Sequence, residues 1–164
     1  LKGLLMIFPN RDTNICISIS KSPGNFGCFF HNLGYKKLGL NYLYKSFKVK
    51  NSKNAINCVR VLNFKGCSVT MPFKVDILKY VDELSEEVQA VKATNTILNH
   101  NNTLKCYNTD IISTSLFLKR NQYKKFDKLF ILGNGGFSKA VEYSSKINNF
   151  EITRITRKNW DEIY

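Results

Sequence analysis

Long apolar runs are missing from this 164-residue chain. The longest near its start, Leu4-Leu5-Met6-Ile7-Phe8, is closed by Pro9. It falls short of the ~20 residues that cross a bilayer and the ~7 of a signal-peptide core. Membrane-spanning and secreted readings are therefore disfavoured. Acidic residues are scarce, 12 against 25 Lys and Arg, for a net charge of +13. Histidine is scarcer still, with only His31 and His100. The five cysteines, Cys16, Cys28, Cys58, Cys67 and Cys106, include no CxxC pair, and their gaps of 12, 30, 9 and 39 match no zinc pattern. No metal site is expected. The thiols read as reduced, mostly buried residues of a cytoplasmic protein.

Hydrophobic residues make up 43% and aromatics 13%, which supports a packed core at this length. The excess of positive charge is compatible with an anionic partner such as nucleic acid, a membrane surface or a phosphorylated ligand. The lysines are scattered, and no block of five like charges occurs. A solvated basic surface is the favoured reading, with no nucleic-acid and no membrane partner expected.

Strand-like and helix-like patterns alternate. Residues 14–18 (NICIS), 40–47, 66–70 (GCSVT), 93–98, 104–107, 129–132 (LFIL) and 152–156 read as strands. Helical spacing predicts a helix over 26–38, with Phe26, Phe29, Phe30, Leu33 and Leu38 near one face and Gly39 as its stop. A second covers 52–63, with Ala55, Ile56, Val59 and Leu62 inward and Ser52 as its cap. Pro72 ends the third strand, and a short helix is expected over 73–81. Ser85-Glu86-Glu87 opens a helical turn, and residues 100–103 form a hairpin turn containing an exposed His100. A helix over 109–121 is expected to bury Ile112, Leu116 and Phe117. The alternation predicts an α/β fold with a mainly parallel sheet.

The stretch 129–140 combines a strand, a glycine turn and a helix, the context a dinucleotide site requires. Gly133 permits a tight turn and Gly135 permits close approach of a pyrophosphate to backbone. The helix start supplies unpaired N–H groups. Ser138 takes the third position of GxGxxG, and Gly136 makes the pattern GxGGxxxA. No acid stands at the end of the next strand, residues 153–158, to hold a ribose 2′-hydroxyl. Arg157 and Lys158 stand there instead. Two cations suit a 2′-phosphate, which favours NADP over NAD.

Further segments narrow the reading. They are Ser20-Lys21-Ser22-Pro23 with His31-Asn32, then Val69-Thr70-Met71-Pro72-Phe73-Lys74, then Asn95-Thr96 and Asn108-Thr109-Asp110. In this order, ahead of Gly133-Asn134-Gly135-Gly136, they resemble the shikimate dehydrogenase family over about residues 14–158. The resemblance implies a substrate-binding domain over 1–109 and the start of an NADP-binding Rossmann domain over 110–164. It implies NADPH-dependent, reversible reduction of 3-dehydroshikimate to shikimate, in a monomer or homodimer.

Carried over residue by residue, the resemblance gives Lys74 and Asp110 the catalytic roles. Ser20 and Ser22 would hold the substrate carboxylate, and Thr70 and Asn95 would contact substrate. Gly133, Asn134, Gly135, Gly136 and Phe137 would form the cofactor loop, with Arg157 and Lys158 on the 2′-phosphate. Asp110 could also cap its helix. His31 reads as a structural hydrogen-bonding residue. The long Pro23-Gly24-Asn25-Phe26-Gly27 spacer is more like the shikimate dehydrogenase-like branch, which is associated with weaker shikimate turnover. Ser68 and Ser113, three residues after Asp110, depart from the family's usual Asn and Gly and bear on substrate preference. The chain starts on Leu1 and stops four residues after Trp160. It is therefore expected to be a fragment.

Overall fold

A computed structural model describes residues 8–120 and 128–160. Residues 4–7 of the first apolar run, and Asn121 at the expected end of a helix, lie outside the described residues. The elements are β1 (Asn14–Ser20), α1 (Phe26–Leu38), β2 (Tyr42–Lys48), α2 (Ser52–Val61), β3 (Gly66–Val69), β4 (Glu83–Leu84), α3 (Glu86–Val91), β5 (Thr96–His100), β6 (Thr103–Tyr107), α4 (Thr109–Arg120), β7 (Lys128–Leu132), α5 (Gly136–Ile147) and β8 (Glu151–Ile155). Where a helix over 73–81 was expected, only a 3-10 turn over Asp76–Tyr80 forms. Thr70 to Phe73 is already a tight turn, closed by a 2.9 Å bond from Phe73 N–H to the Thr70 carbonyl, so helical winding starts late.

Among the described residues six strands form one sheet in the order β2-β1-β3-β5-β6-β4, and β7 and β8 form a second. β1 is parallel to both β2 and β3, β4 to β6, and β7 to β8. β5 runs antiparallel to β3 and β6. The β5–β6 hairpin turns through Asn101 and Asn102, both at positive φ (48° and 66°), as a two-residue hairpin turn requires. This is the expected α/β layering with a mostly parallel sheet.

The main core packs Ile17 and Ile19 of β1, Val69 of β3 and Ile97 of β5 against Ile56 and Val59 of α2. The spacing of Ala55, Ile56 and Val59 does set the inward face of α2, while Leu62 is exposed. Asn51, not Ser52, caps this helix: its extended backbone aims the side chain at Asn54 N–H, 3.0 Å away. Ser52 instead donates its hydroxyl to the Asp76 carboxylate. A smaller cluster of Val91, Ala93, Ile111 and Ala140 ties α3, α4 and α5 together between the two sheets.

Helix α1 has no buried residue. Its phenylalanines point outward, with Phe26, Phe29 and Phe30 61–77% exposed and Leu33 and Leu38 exposed too. It packs on β2 through a polar and aromatic side instead. Asn32 donates to the Tyr44 carbonyl (2.9 Å) and accepts from Tyr44 N–H (2.8 Å). His31 stacks on the Tyr44 ring at 4.2 Å, and burial lowers its pKa. The hydrogen bonding expected of His31 thus belongs to Asn32. On α4, Ile112, Leu116 and Phe117 are more than half exposed, and Ile111 and Leu118 are buried instead. In β7 only Ile131 is buried, with Phe130 and Leu132 exposed, because the strand has one covered face. Of the free cysteines, Cys67 and Cys106 are buried and Cys58 is exposed. Among the described residues no helix is long and apolar enough to cross a membrane.

Candidate active site

The motif segments of the first sheet converge on one edge. β1 and β3 are parallel neighbours, so the loops that follow them lie side by side. Thr70 N–H donates to the Ile19 carbonyl (3.2 Å) and Lys21 N–H to that of Met71 (3.3 Å). β5 starts, and β6 ends, at this same edge. Val69 N–H meets the Asn95 carbonyl at 2.8 Å, and Asn95 N–H that of Tyr107 at 3.2 Å. Such an edge, outside the carboxyl ends of parallel strands, is where open α/β sheets bind ligands.

Lys74 and Asp110 are 36 residues apart in sequence and form an ion pair, Nζ to Oδ2 2.6 Å, with side chains only 15% and 17% exposed. The Lys74 carbonyl accepts from Thr94 N–H at 2.8 Å, fixing its backbone. Asp110 lies in the first turn of α4, but it does not cap the helix. Asn108 does so: its buried side chain accepts from Asp110 N–H (3.1 Å) and donates to the Ala93 carbonyl (2.8 Å). The Asp110 carboxylate is thereby turned to Lys74 and Asn95.

Asn95 holds the second oxygen, donating from Nδ2 to Asp110 Oδ1 at 2.9 Å. It also donates to the Thr109 hydroxyl (2.8 Å) and accepts from Thr109 N–H (3.0 Å) and the Thr96 hydroxyl (2.9 Å). All four hydrogen-bonding positions of the amide are thus used internally. In this arrangement Asn95 orients Asp110. At the neighbouring loop, Ser20 is buried and its hydroxyl accepts from Ser22 N–H (2.9 Å), and Ser22 is exposed. Both serines lie beside the Thr70-Met71 loop.

The glycine loop forms the facing wall. Gly133 takes φ +111°, a conformation that favours glycine, and its N–H donates to the Ile155 carbonyl at 2.7 Å. Gly135 caps α5 with no side-chain hydrogen bond and has open space where a Cβ would stand. Ser138 is buried, its hydroxyl donating to the Gly135 carbonyl (2.8 Å). Gly136 also meets a packing constraint: a methyl there would lie 2.8 Å from Lys74 Cβ and 3.1 Å from Cδ. The Phe137 ring centroid is 5.8 Å from Lys74 Nζ. The cleft between the walls has a volume of about 420 Å³, with Thr70, Met71 and Lys74 on one side and Asn134, Gly135 and Phe137 on the other.

Arg157 and Lys158 are exposed in the turn after β8, which Asn159 folds by accepting from Thr156 N–H (2.7 Å). Arg154 had no expected role. It pairs with Glu142 and donates to Asn134 Oδ1 at 2.7 Å, steadying the glycine loop. Asn108 was also missed as a supporting residue, although it opens the Asn-Thr-Asp triplet. A dinucleotide fits this wall: the loop is open at Gly135, no side chain caps the N–H groups at the start of α5, and two exposed cations follow β8.

The chain and its fold are similar to those of known proteins. Residues 16–97, half of the chain, match the model of the shikimate dehydrogenase substrate binding domain. A shikimate dehydrogenase-like protein of Haemophilus influenzae is 41% identical over 150 residues, covering 92% of this chain and 55% of the relative. A shikimate dehydrogenase (NADP(+)) of Pyrococcus furiosus is 41% identical over 128 residues, covering 77% and 47%. A crystal structure of a shikimate dehydrogenase in complex with NADP+ superposes with a TM-score of 0.85 at 31% identity, over 94% of this chain and 55% of that one. The chain spans about half the length of the curated relatives it matches. By its matched substrate-binding half and the motifs along this cleft, the chain belongs to the shikimate dehydrogenase family.

Proposed function

We propose that this chain provides the substrate-binding part and the beginning of the cofactor-binding part of an NADP-dependent shikimate dehydrogenase, which interconverts 3-dehydroshikimate and shikimate. Residues 1–109 form the substrate-binding domain and 110–164 the start of the Rossmann domain. The observation that carries the reading is Lys74, held by its enclosed ion pair with Asp110 and facing the open glycine loop across one cleft.

The roles follow from the chemistry. Ser20 and Ser22 offer hydroxyls and a backbone turn to the substrate carboxylate, and Thr70 lines the adjoining wall. Lys74 has three N–H donors, of which one goes to Asp110 and another is left for the substrate oxygen. In the reducing direction that ammonium stabilises the oxygen as negative charge builds and delivers the proton. Asp110 fixes the lysine's direction and accepts from a neighbouring substrate hydroxyl. When bound, the nicotinamide supplies or takes the hydride. Gly133, Asn134 and Gly135 with the α5 N-terminus receive the diphosphate, and Arg157 and Lys158 the 2′-phosphate. Both ligands are anions, which gives the +13 chain a use for part of its positive charge.

A second reading is a shikimate dehydrogenase-like enzyme with weak shikimate turnover or a different substrate such as quinate. The likeness to the H. influenzae protein so named, the long Pro23–Gly27 spacer, Ser68 and Ser113 favour it. The test uses the protein from its complete reading frame. Reduced-cofactor absorbance is followed with shikimate or quinate, each against NADP and NAD. Fast NADP-linked oxidation of shikimate, lost in Lys74→Ala and weakened about 10- to 100-fold in NADP affinity in Arg157→Ala, supports the first reading. Feeble turnover from a folded, NADP-binding protein moves the substrate to the second. Near-normal turnover in Lys74→Ala refutes the catalytic assignment.

A further inference from the structure

Lys74 is held from both walls of the cleft. Its backbone is tied to the first sheet through Thr94 N–H. Its stem lies against Gly136 so closely that a Cβ there would overlap it. Its ammonium sits between the Asp110 carboxylate, at 2.6 Å, and the Phe137 ring, whose centroid is 5.8 Å away. That separation is within the reach of a cation–π interaction. Phe137 itself is 55% exposed and lies in the first turn of α5. Its ring also borders an apolar groove with Phe117, Leu118 and Ile131, and helix propensity does not favour a phenylalanine at this place.

We infer that Phe137 is a positioning residue for Lys74. The inference rests on the catalytic role proposed above for that lysine. The ring face and the carboxylate together fix the direction of a long, flexible side chain, leaving one N–H aimed into the cleft. Gly136 makes this possible, because its missing Cβ lets the turn that bears the ring approach the lysine stem. The loop that receives the dinucleotide then also sets the proton donor of the opposite wall. Cofactor-loop geometry and substrate chemistry are coupled through two adjacent residues.

An aliphatic side chain of similar bulk would fill the same space without attracting the cation, and that contrast is the test. In the full-length protein at saturating NADP, Phe137→Leu is expected to lower kcat about three- to tenfold, with shikimate KM held within about twofold. Phe137→Tyr and Phe137→Trp are expected to restore kcat to within about twofold of the parent. Equal rates for the Leu and Tyr variants overturn the proposal, since bulk alone would then suffice.

A second readout does not depend on turnover. The lysines are reductively methylated with 13C, which keeps their charge, and the Lys74 resonance is identified by its loss in Lys74→Arg. Its methyl signal is expected upfield of the other lysines through the Phe137 ring current, to stay there in Phe137→Tyr and to return in Phe137→Leu. A Lys74 signal with the ordinary shift overturns the proposal. An upfield signal in a protein that oxidises no shikimate overturns the substrate reading and leaves the placement of Lys74 by Phe137 standing.

Discussion

Replacing Gly136 by alanine tests the contact between the two walls most directly. The new methyl would stand 2.8 Å from Lys74 Cβ and 3.1 Å from Cδ, whereas nonbonded carbons settle at about 3.5–4.0 Å. Ala93 Cβ, 3.5 Å away, closes the other side. Lys74 Cβ cannot swing aside, because its backbone is held by Thr94 N–H. The loop or the outer part of the lysine must therefore retreat by about 1 Å. A displacement of about 1 Å at a reacting group costs about 100-fold in rate, or about 2.7 kcal/mol in the barrier. Overpacking would remove a further ~1–3 kcal/mol of stability, so the protein must first be shown folded by its thermal melt. The assay is kcat for shikimate at saturating NADP, with NADP affinity measured separately by fluorescence quenching. A kcat within about threefold of the parent would refute the reasoning. Weakened NADP binding at unchanged kcat would assign Gly136 to the cofactor instead.

Three other outcomes follow from supporting groups. Asn108→Ala strands the Ala93 carbonyl and the Asp110 N–H inside the protein and is expected to cost about 2–4 kcal/mol in urea unfolding, with Asn108→Asp recovering part. Hydrogen bonds from the Arg60 guanidinium, and then from Leu104 N–H, hold Asp82 below the ordinary carboxylate value of 3.8. Its folded pKa is thus below its unfolded one, so its stabilisation is complete above about pH 4 and is lost as pH falls through the folded value. A urea-midpoint profile against pH should accordingly flatten on the acid side in Asp82→Asn, and an unchanged profile would count against the Arg60 contact. Burial pushes the Cys106 thiol up to about 11 and raises that of Cys67, whereas Cys58 is exposed. At pH 8 a thiol-specific disulfide reagent should label Cys58 rapidly and Cys67 and Cys106 only in denaturant. Fast labelling of all three in the native protein would refute this burial pattern.

The fold was legible wherever local periodicity and burial agree. α1 begins at Phe26 and ends at Leu38, where Gly39 takes the left-handed C-cap conformation, and helix spacing alone marks those bounds. α2 likewise turns Ala55, Ile56 and Val59 inward. Periodicity misled where the covered face is polar. An apolar stripe says which face is hydrophobic, not which face finds a partner. In α1 the face that docks on β2 is built from Cys28, His31, Asn32 and Tyr35. Its contacts are the His31–Tyr44 stack, the Tyr35–Tyr42 ring contact, two bonds of the Asn32 amide, and a Cys28 thiol that accepts from Ser46 N–H and donates to the Ser46 hydroxyl. In α4, rotation is set by Asn108 capping the helix and Asp110 reaching Lys74, and these two constraints turn Ile111 inward rather than Ile112. Tertiary polar contacts thus override the stripe in both helices.

The site shows a similar division between motif and mutual placement. Lys74 and Asp110 can be named from their motifs, yet their 2.6 Å approach depends on β5 running back against β3 and β6 returning beside it, a pairing that spans 36 residues. Asn95 was legible as a site residue, but its saturation by Thr96, Thr109 and Asp110 was not. Gly136 carries the sharpest lesson. In sequence it is one glycine of a phosphate loop, and a phosphate loop explains Gly133 and Gly135 well enough. Only the structure gives the third glycine a separate cause, the lysine stem across the cleft. A glycine pattern records every place where backbone must come close to something without naming what that something is. In this chain one such partner is the lysine on the opposite wall.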